Sequence, residues 1–313
     1  MRMLRTLLAL LAVILTAHAD DFLAGKKRIL FLGDSITYSG GYVDAFEVFL
    51  AVKHPDREVT VIDCGLPSET LSGLSEAGHA GGKFPRPDLH ERLDRALAIA
   101  KPDLVFACYG MNCGIYLPLD ETRFTAYRAG IEKLRAKVNA AGADIVHLTP
   151  PVFDALPIKS RVKTADTVKD GDMFEGYDGV LARYSAWLVE QGKKENWRVI
   201  DTHTAMADAI ASARKTNPAF TFAGDGVHCN DKGHAVLAAA LIKGLGGSFD
   251  PDVSNHGKLS GLIRQRRTIL SNAYLTAIGH KRPGMAKGLP LEEANAKAAE
   301  LTAQIRTAAT AAK

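Results

Sequence analysis

The sequence is poor in cysteine: four in 313 residues, at Cys64, Cys108, Cys113 and Cys229, with no C-x-x-C pair among them. That spacing argues against a zinc ribbon and against a thioredoxin-like redox motif. Charge of one sign is also lacking. The chain carries 39 Lys and Arg against 35 Asp and Glu, a net +4, too weak a bias to point to nucleic acid or to an anionic membrane surface. No Walker or dinucleotide-binding glycine pattern occurs, and no internal repeat. Beyond the first twenty residues, no segment is apolar enough to cross a bilayer.

Those first residues are a different matter. "MRMLRTLLALLAVILTAHAD" opens with Arg2 and Arg5, continues through an apolar run from Leu7 to Leu15, and ends in Ala17-His18-Ala19. A basic start, a short apolar core and an Ala-x-Ala site form the pattern of a secretory signal peptide cut after Ala19. No cysteine follows the cut, which argues against a lipid anchor. Without this segment the chain holds 37 basic and 35 acidic residues, a net charge of +2. Localisation is therefore expected to be periplasmic or secreted, with no membrane attachment after cleavage. An exported chain permits disulfides, and a Cys113–Cys229 bond is open if their loops meet.

The whole chain is 47% hydrophobic and 24% charged, the make-up of a globular protein large enough to need no covalent staple. "RILFLG" (28–33), "EVTVIDCG" (58–65), "DLVFACYG" (103–110), "DIVHLTPP" (144–151) and "RVIDTH" (198–203) are short and apolar on both faces, as buried parallel strands are. Helical patterns run between them. One at 42–54 puts Val43, Phe46, Phe49 and Leu50 on one face. Others lie at 123–142, closed by Gly142, at 177–195 and at 233–247. The alternation predicts an α/β fold, a three-layer α/β/α sandwich on a mostly parallel five-stranded sheet. Residues 66–87 and 150–177 interrupt the rhythm as long connections. The predicted organisation is a leader at 1–19, a core at 20–250 and a helical C-terminal extension at 251–313. Arg264, Arg266 and Arg267 in that extension are read as a solvated helix face.

In parallel α/β sheets, sites form at the carboxyl ends of the strands. Those ends supply Gly33-Asp34-Ser35, Cys64-Gly65 and Gly110-Met111-Asn112, with "GDGVHCNDKGH" (224–234) ahead of the last core helix. A serine hydroxyl needs a base to become a nucleophile, and the base needs a carboxylate to orient it. Asp225 and His228 stand three apart on a turn, so the carboxylate can reach Nδ1 and leave Nε2 for Ser35. The Ser35 N–H, the Gly65 N–H (a residue with no side chain to block approach) and the Asn112 amide are candidate donors to an oxyanion. Two competing patterns exist. Ser35 or Asp34 can serve as a helix N-cap. Asp225, His228, Asp231 and His234 recur every three residues, as metal ligands do, although Asp231 and His234 also suit the opening of the last helix. "GLSEA" (73–77) lacks the final glycine of a nucleophile elbow and follows no apolar strand.

Four ordered blocks, "GDSIT", "DCGLPSET", "GMN" and "DGVHCNDKGH", resemble those of the SGNH hydrolases of GDSL type. The resemblance implies a flavodoxin-like fold and ester hydrolysis through an acyl-serine. It implies Ser35 as nucleophile, His228 as base and Asp225 orienting it, with the Ser35 N–H, Gly65 N–H and Asn112 as oxyanion hole, and no cofactor or metal. Four positions depart from the pattern: Cys113 stands where an Asp usually follows the Asn, Asp63 and Ser68 replace an Asn and a second Gly, and Cys229 replaces a Pro. The tail "LSNAYLTAIGHKRPG" is similar to tails on hydrolases of this type from polysaccharide-degrading bacteria. The expected activity is an exported serine esterase acting on small acyl esters, chiefly O-acetyl groups on carbohydrate, with Asp34, Tyr38 and Met111 touching substrate. The alternatives are a lipase, lysophospholipase or thioesterase on the same scaffold, and a non-catalytic carbohydrate binder. The oligomeric state is not legible in the sequence.

Overall fold

Five short apolar segments become the strands β1 (Arg28–Gly33), β2 (Thr60–Asp63), β3 (Leu104–Cys108), β4 (Asp144–Leu148) and β5 (Arg198–Ile200) in the computed structural model, which describes residues 22–250 and 256–311. They pair in the order β2-β1-β3-β4-β5, all parallel, in one sheet. Every residue of β3 is buried, and so are five of the six in β1, because helices cover both faces. The parallel, helix-covered sheet is the one predicted from the strand–helix alternation, and its order is the flavodoxin-like one that the resemblance implies. The segment read as a leader, 1–19, lies outside the described residues.

Nine α-helices follow among the described residues: α1 (Ser35–Ser39), α2 (Gly41–Lys53), α3 (Leu89–Ala100), α4 (Glu121–Ala140), α5 (Tyr177–Lys194), α6 (Thr202–Arg214), α7 (Asp231–Gly244), α8 (Gly257–Ile278) and α9 (Leu291–Ala311). Helix α2 packs on α7, and α3 on α4. Between sheet and α2, Phe31 stacks on Phe106 at 4.9 Å and meets Phe46 edge-on at 5.7 Å. Each such buried ring contributes about 1.5–3 kcal/mol. Two helices were not read from the sequence. Helix α3 carries its apolar stripe on Leu89, Leu93, Ala96, Leu97 and Ala100, with the Asp88 side chain accepting from His90 N. Helix α6 starts where a strand was expected to continue. Asp201 ends the strand by capping the helix, its Oδ1 accepting the Thr204 N–H at 3.0 Å.

Helices α8 and α9, the region read as an extension, do more than sit on a finished core. Helix α8 lies against β2, α2 and α3, and so covers the sheet edge that β2 would otherwise leave open. An exposed strand edge invites pairing with other chains, and a covering helix removes that hazard. Leu270, Tyr274, Leu275 and Ile278 of α8 join the main hydrophobic core.

In this strand order the chain leaves β1 in one direction and β3 in the other, which opens a crevice at their carboxyl ends. Ser35 follows β1 and Asn112 follows β3, so the fold brings both to that crevice.

Candidate active site

The nucleophile turn answers which residue caps the helix. Asp34 does: its backbone is extended and its Oδ1 accepts the Ile36 N–H at 3.0 Å. Ser35 is therefore the first helical residue and its Oγ is left over. That Oγ lies 2.8 Å from His228 Nε2. On the far side of the ring, His228 Nδ1 is 2.7 Å from Asp225 Oδ2. Asp225 Oδ1 accepts two backbone N–H groups, Val227 at 2.9 Å and His228 at 2.8 Å. Burial pushes the Asp225 carboxyl up, but the hydrogen bonds from His228 and Val227 outweigh it and hold it below its ordinary value. The carboxylate thus stays ionised and fixes Nδ1 as the protonated nitrogen, which leaves Nε2 as acceptor for the Ser35 hydroxyl.

The Asp225–His228 turn is held from behind. Gly226 has φ +84°, and a Cβ there would lie 2.8 Å from the Asp154 carbonyl oxygen. The Asp154 N–H donates to the Gly226 carbonyl at 2.9 Å, while the Asp154 carboxylate takes both its oxygens to Arg214 Nη2 at 2.8 and 2.7 Å. The long 150–177 connection is in this way a buttress for the base.

The oxyanion side differs from expectation at one residue. The Gly65 N–H already donates to Asp63 Oδ1 at 2.9 Å. Its lack of a side chain serves packing: a Cβ would lie 2.3 Å from Tyr38 N, so glycine lets β2 approach the nucleophile helix. Ser68 lies three residues further on. It adopts φ +69°, a left-handed conformation that costs a non-glycine residue about 1–2 kcal/mol, and among the described residues its N–H meets no acceptor. Its neighbour Glu69 presents its carbonyl to Asn112 Nδ2 at 3.2 Å, which ties this loop to the Asn112 amide.

With that geometry in place, the comparisons decide the family. Residues 31–236 match the GDSL-like Lipase/Acylhydrolase family. The chain belongs to that family. It is a serine ester hydrolase. No curated protein matches the sequence. Among solved structures, the hydrolase is similar to Axe2, an acetyl xylan esterase from Geobacillus stearothermophilus, at TM-score 0.53 and 21% identity over 72% of this chain and 96% of that one. It is also similar to BT4096, a gut microbial diltiazem-metabolizing enzyme, at TM-score 0.54 and 18% identity, covering 70% of this chain and 47% of that longer one. At these identities the likeness speaks for the fold.

Two of the three residues expected at the substrate, Met111 and Asp34, are placed otherwise in this GDSL hydrolase. Met111 is fully buried, so its side chain belongs to the core, and its carbonyl accepts from Tyr177 Oη. Asp34 is buried behind the nucleophile as a cap. Tyr38 is half-buried at the end of α1, where its carbonyl accepts from Arg267. All four cysteines are free thiols, so Cys113 and Cys229 do not pair. The Cys113 sulfur accepts from Leu71 N, and burial pushes the Cys113 and Cys229 thiols up to about 11 and about 12. His234 does not join His228. Its Nε2 lies 3.0 Å from Ser39 Oγ and its ring stacks on Tyr42, which pins the end of the nucleophile helix. Asn230, one residue before Asp231, caps α7.

The buried cap makes a pH-dependent prediction. Burial pushes Asp34 up to about 6, against partial opposition from the Ile36 N–H and the charge of His228. The folded protein thus holds this proton more tightly than the unfolded chain. Its penalty is absent below pH 4, grows as pH rises and is complete above about pH 6. Asp34→Asn keeps the cap acceptor and does not titrate. Its stability relative to the unsubstituted protein, from urea unfolding, is expected to improve by roughly 3 kcal/mol between pH 4 and pH 8. A difference that stays flat with pH would count against the buried carboxyl.

Proposed function

We propose that this hydrolase is an exported esterase that removes small acyl groups, chiefly acetyl, from carbohydrate hydroxyls through an acyl-Ser35 intermediate. The observation that carries this is the Ser35–His228–Asp225 relay, with the His228 and Asp225 side chains 50% and 49% exposed. An open relay suits an ester projecting from a bulky chain that cannot enter a deep pocket. Among the described residues the large apolar side chains left exposed are Leu119 and Leu156, far short of the apolar patch that a lipid surface would require. Axe2, named an acetyl xylan esterase, provides a precedent on this fold. Export rests on the sequence pattern of residues 1–19.

In the forward step Ser35 Oγ attacks the acyl carbonyl carbon while His228 Nε2 takes its proton. The negative charge that develops on the carbonyl oxygen meets the Ser35 N–H, the Ser68 N–H and Asn112 Nδ2. His228 then gives its proton to the sugar oxygen as the acyl C–O bond breaks, leaving acyl-Ser35 and a free sugar hydroxyl. A water molecule repeats the sequence: its proton goes to His228, its oxygen to the acyl carbon, and Ser35 leaves with the proton returned.

The test is acetate release from a panel of acetylated oligosaccharides, run beside 4-nitrophenyl esters of two to eight carbons. Acetate release from at least one oligosaccharide and faster turnover of the two-carbon ester are expected. Faster cleavage of the eight-carbon ester would overturn the small-acyl assignment, and no release from any sugar ester would overturn the carbohydrate one.

A further inference from the structure

Asn112 is held by a charged network that the reaction as described does not use. Its Oδ1 accepts from Arg86 Nη1 at 2.9 Å and from Tyr116 Oη at 3.2 Å. Both donors sit on the oxygen side, so the amide cannot flip without losing them. Its nitrogen must then face the other way, where one N–H reaches the Glu69 carbonyl and the second has no acceptor among the described residues. Arg86 is itself locked. Its Nε and Nη2 make a two-pronged pair with Glu76, both at 2.7 Å, its guanidinium lies 5.3 Å from the centre of the Tyr116 ring, and Arg86 and Glu76 are 9% and 7% exposed. The backbone is strained to make this possible. Ile115 and Tyr116 take φ +49° and +59° in succession, conformations that cost a side-chain-bearing residue about 1–3 kcal/mol each and that cluster where a site is pre-organised.

We propose that Arg86 is a positioning residue for the oxyanion, holding the Asn112 amide with its N–H toward the reacting oxygen and strengthening that N–H as a donor. A cation on the carboxamide oxygen draws electron density away from the nitrogen, and chained hydrogen bonds to charged groups reinforce one another in a desolvated setting. A neutral donor in place of Arg86 would orient the amide without charging it. The field of the guanidinium also reaches the nucleophile turn, where Arg86 is among the groups that favour the ionised form of Asp34. Glu76 and Tyr116 act one step further out: Glu76 fixes the direction of the guanidinium, and Tyr116 supplies both a ring beneath it and a second donor to Asn112. The long 66–87 connection thereby delivers, from its last residues, a cation to the back of the oxyanion site.

The assignment rests on the esterase reading above, and the test separates the two. Steady-state turnover of 4-nitrophenyl acetate is measured for the unsubstituted protein, Ser35→Ala, Arg86→Gln, Asn112→Ala and Arg86→Gln/Asn112→Ala. Arg86→Gln is expected to lower kcat by about 10–100-fold with KM changed less than 3-fold, as befits an interaction felt in the transition state. Asn112→Ala is expected to lower kcat by about 10²–10³-fold. The double variant should match Asn112→Ala within about 3-fold, because Arg86 acts through Asn112. Since Arg86→Gln strands the Glu76 carboxylate, Glu76→Gln/Arg86→Gln, which removes both charges, is run beside it and should show the same kcat loss with a cooperative melt. Retention of kcat within 2-fold in that pair variant, or fold-losses that simply multiply in the double variant, would overturn the positioning role. Failure of the unsubstituted protein to turn over, or turnover surviving Ser35→Ala, would instead overturn the esterase reading itself.

Discussion

Ser35→Ala is expected to lower kcat on 4-nitrophenyl acetate by at least about 10⁴-fold and to abolish labelling by a fluorophosphonate, with the melting temperature unchanged within about 2 °C. The size of the effect follows from the geometry. The Ser35 hydroxyl is the oxygen at 2.8 Å from His228 Nε2, and an alanine leaves the base no bond to make. Stability is spared because the cap of α1 is the Asp34 carboxylate and, among the described residues, the serine side chain bonds only to His228. His228→Ala should fall nearly as far, and the Ser35→Ala/His228→Ala pair should lose little more than either alone, since the two act as one unit. Asp225→Asn should keep the backbone bonds to Oδ1 while its amide nitrogen turns the imidazole to the wrong tautomer, at a cost of about 10²–10⁴-fold. Retention of a tenth of the activity in Ser35→Ala would remove the serine mechanism.

The relay was legible because each member sits in a short local pattern whose geometry the chain cannot escape. Ser35 follows an apolar strand by two residues, and the spacing of Asp225 and His228 on a glycine turn sets the ring against the carboxylate. The strands were legible for the same reason, being apolar on both faces. What the sequence hid depended on side chains turning back on the backbone. Asp63 stands two residues before Gly65, the spacing of an Asx turn, and that turn takes the Gly65 N–H away from the crevice. Ser68 then falls in the left-handed region with its N–H free, and the signal for it was its place where related blocks carry a second glycine. Arg86 and Glu76, ten residues apart in a long connection that interrupts the strand–helix rhythm, gave no periodic sign of being buried together. The opposite holds for Arg267. It lies on one stripe with Ile263, Leu270 and Tyr274, at intervals of four, three and four, and all four are buried. An arginine in an apolar stripe marks a buried ion pair, and only its grouping with Arg264 and Arg266 made it look like part of a solvated face.

Removal of Arg267 is accordingly expected to be strongly destabilising, because this one side chain from α8 pairs with two buried acids and holds the end of the nucleophile helix. Its Nε lies 2.6 Å from Asp44 Oδ1 and its Nη1 3.2 Å from Asp63 Oδ2, while Nη1 and Nη2 donate to the Tyr38 and Ser39 carbonyls at 3.4 and 3.2 Å. Asp44 and Asp63 are 1% and 0% exposed. Truncating one member of such a buried set leaves uncompensated charge and costs about 3–5 kcal/mol. Arg267→Met, which preserves most of the volume, isolates the electrostatic part. Its deficit should depend on pH in a fixed direction. Burial already pushes Asp44 up, and Asp63 up to about 6, against the opposing charge of Arg267. Without the cation both rise further, so the folded variant takes up protons that the unfolded chain releases, and its stability falls as pH rises through that range. Urea unfolding at pH 5 and pH 8 should therefore show a deficit markedly smaller at the lower pH. Since Asp63 also fixes the Gly65 N–H and Arg267 the last carbonyls of α1, kcat should fall together with stability, and most at high pH. A deficit equal at the two pH values would mean that Arg267 serves only to fill space, and that α8 covers the sheet edge without setting the charge beneath the nucleophile.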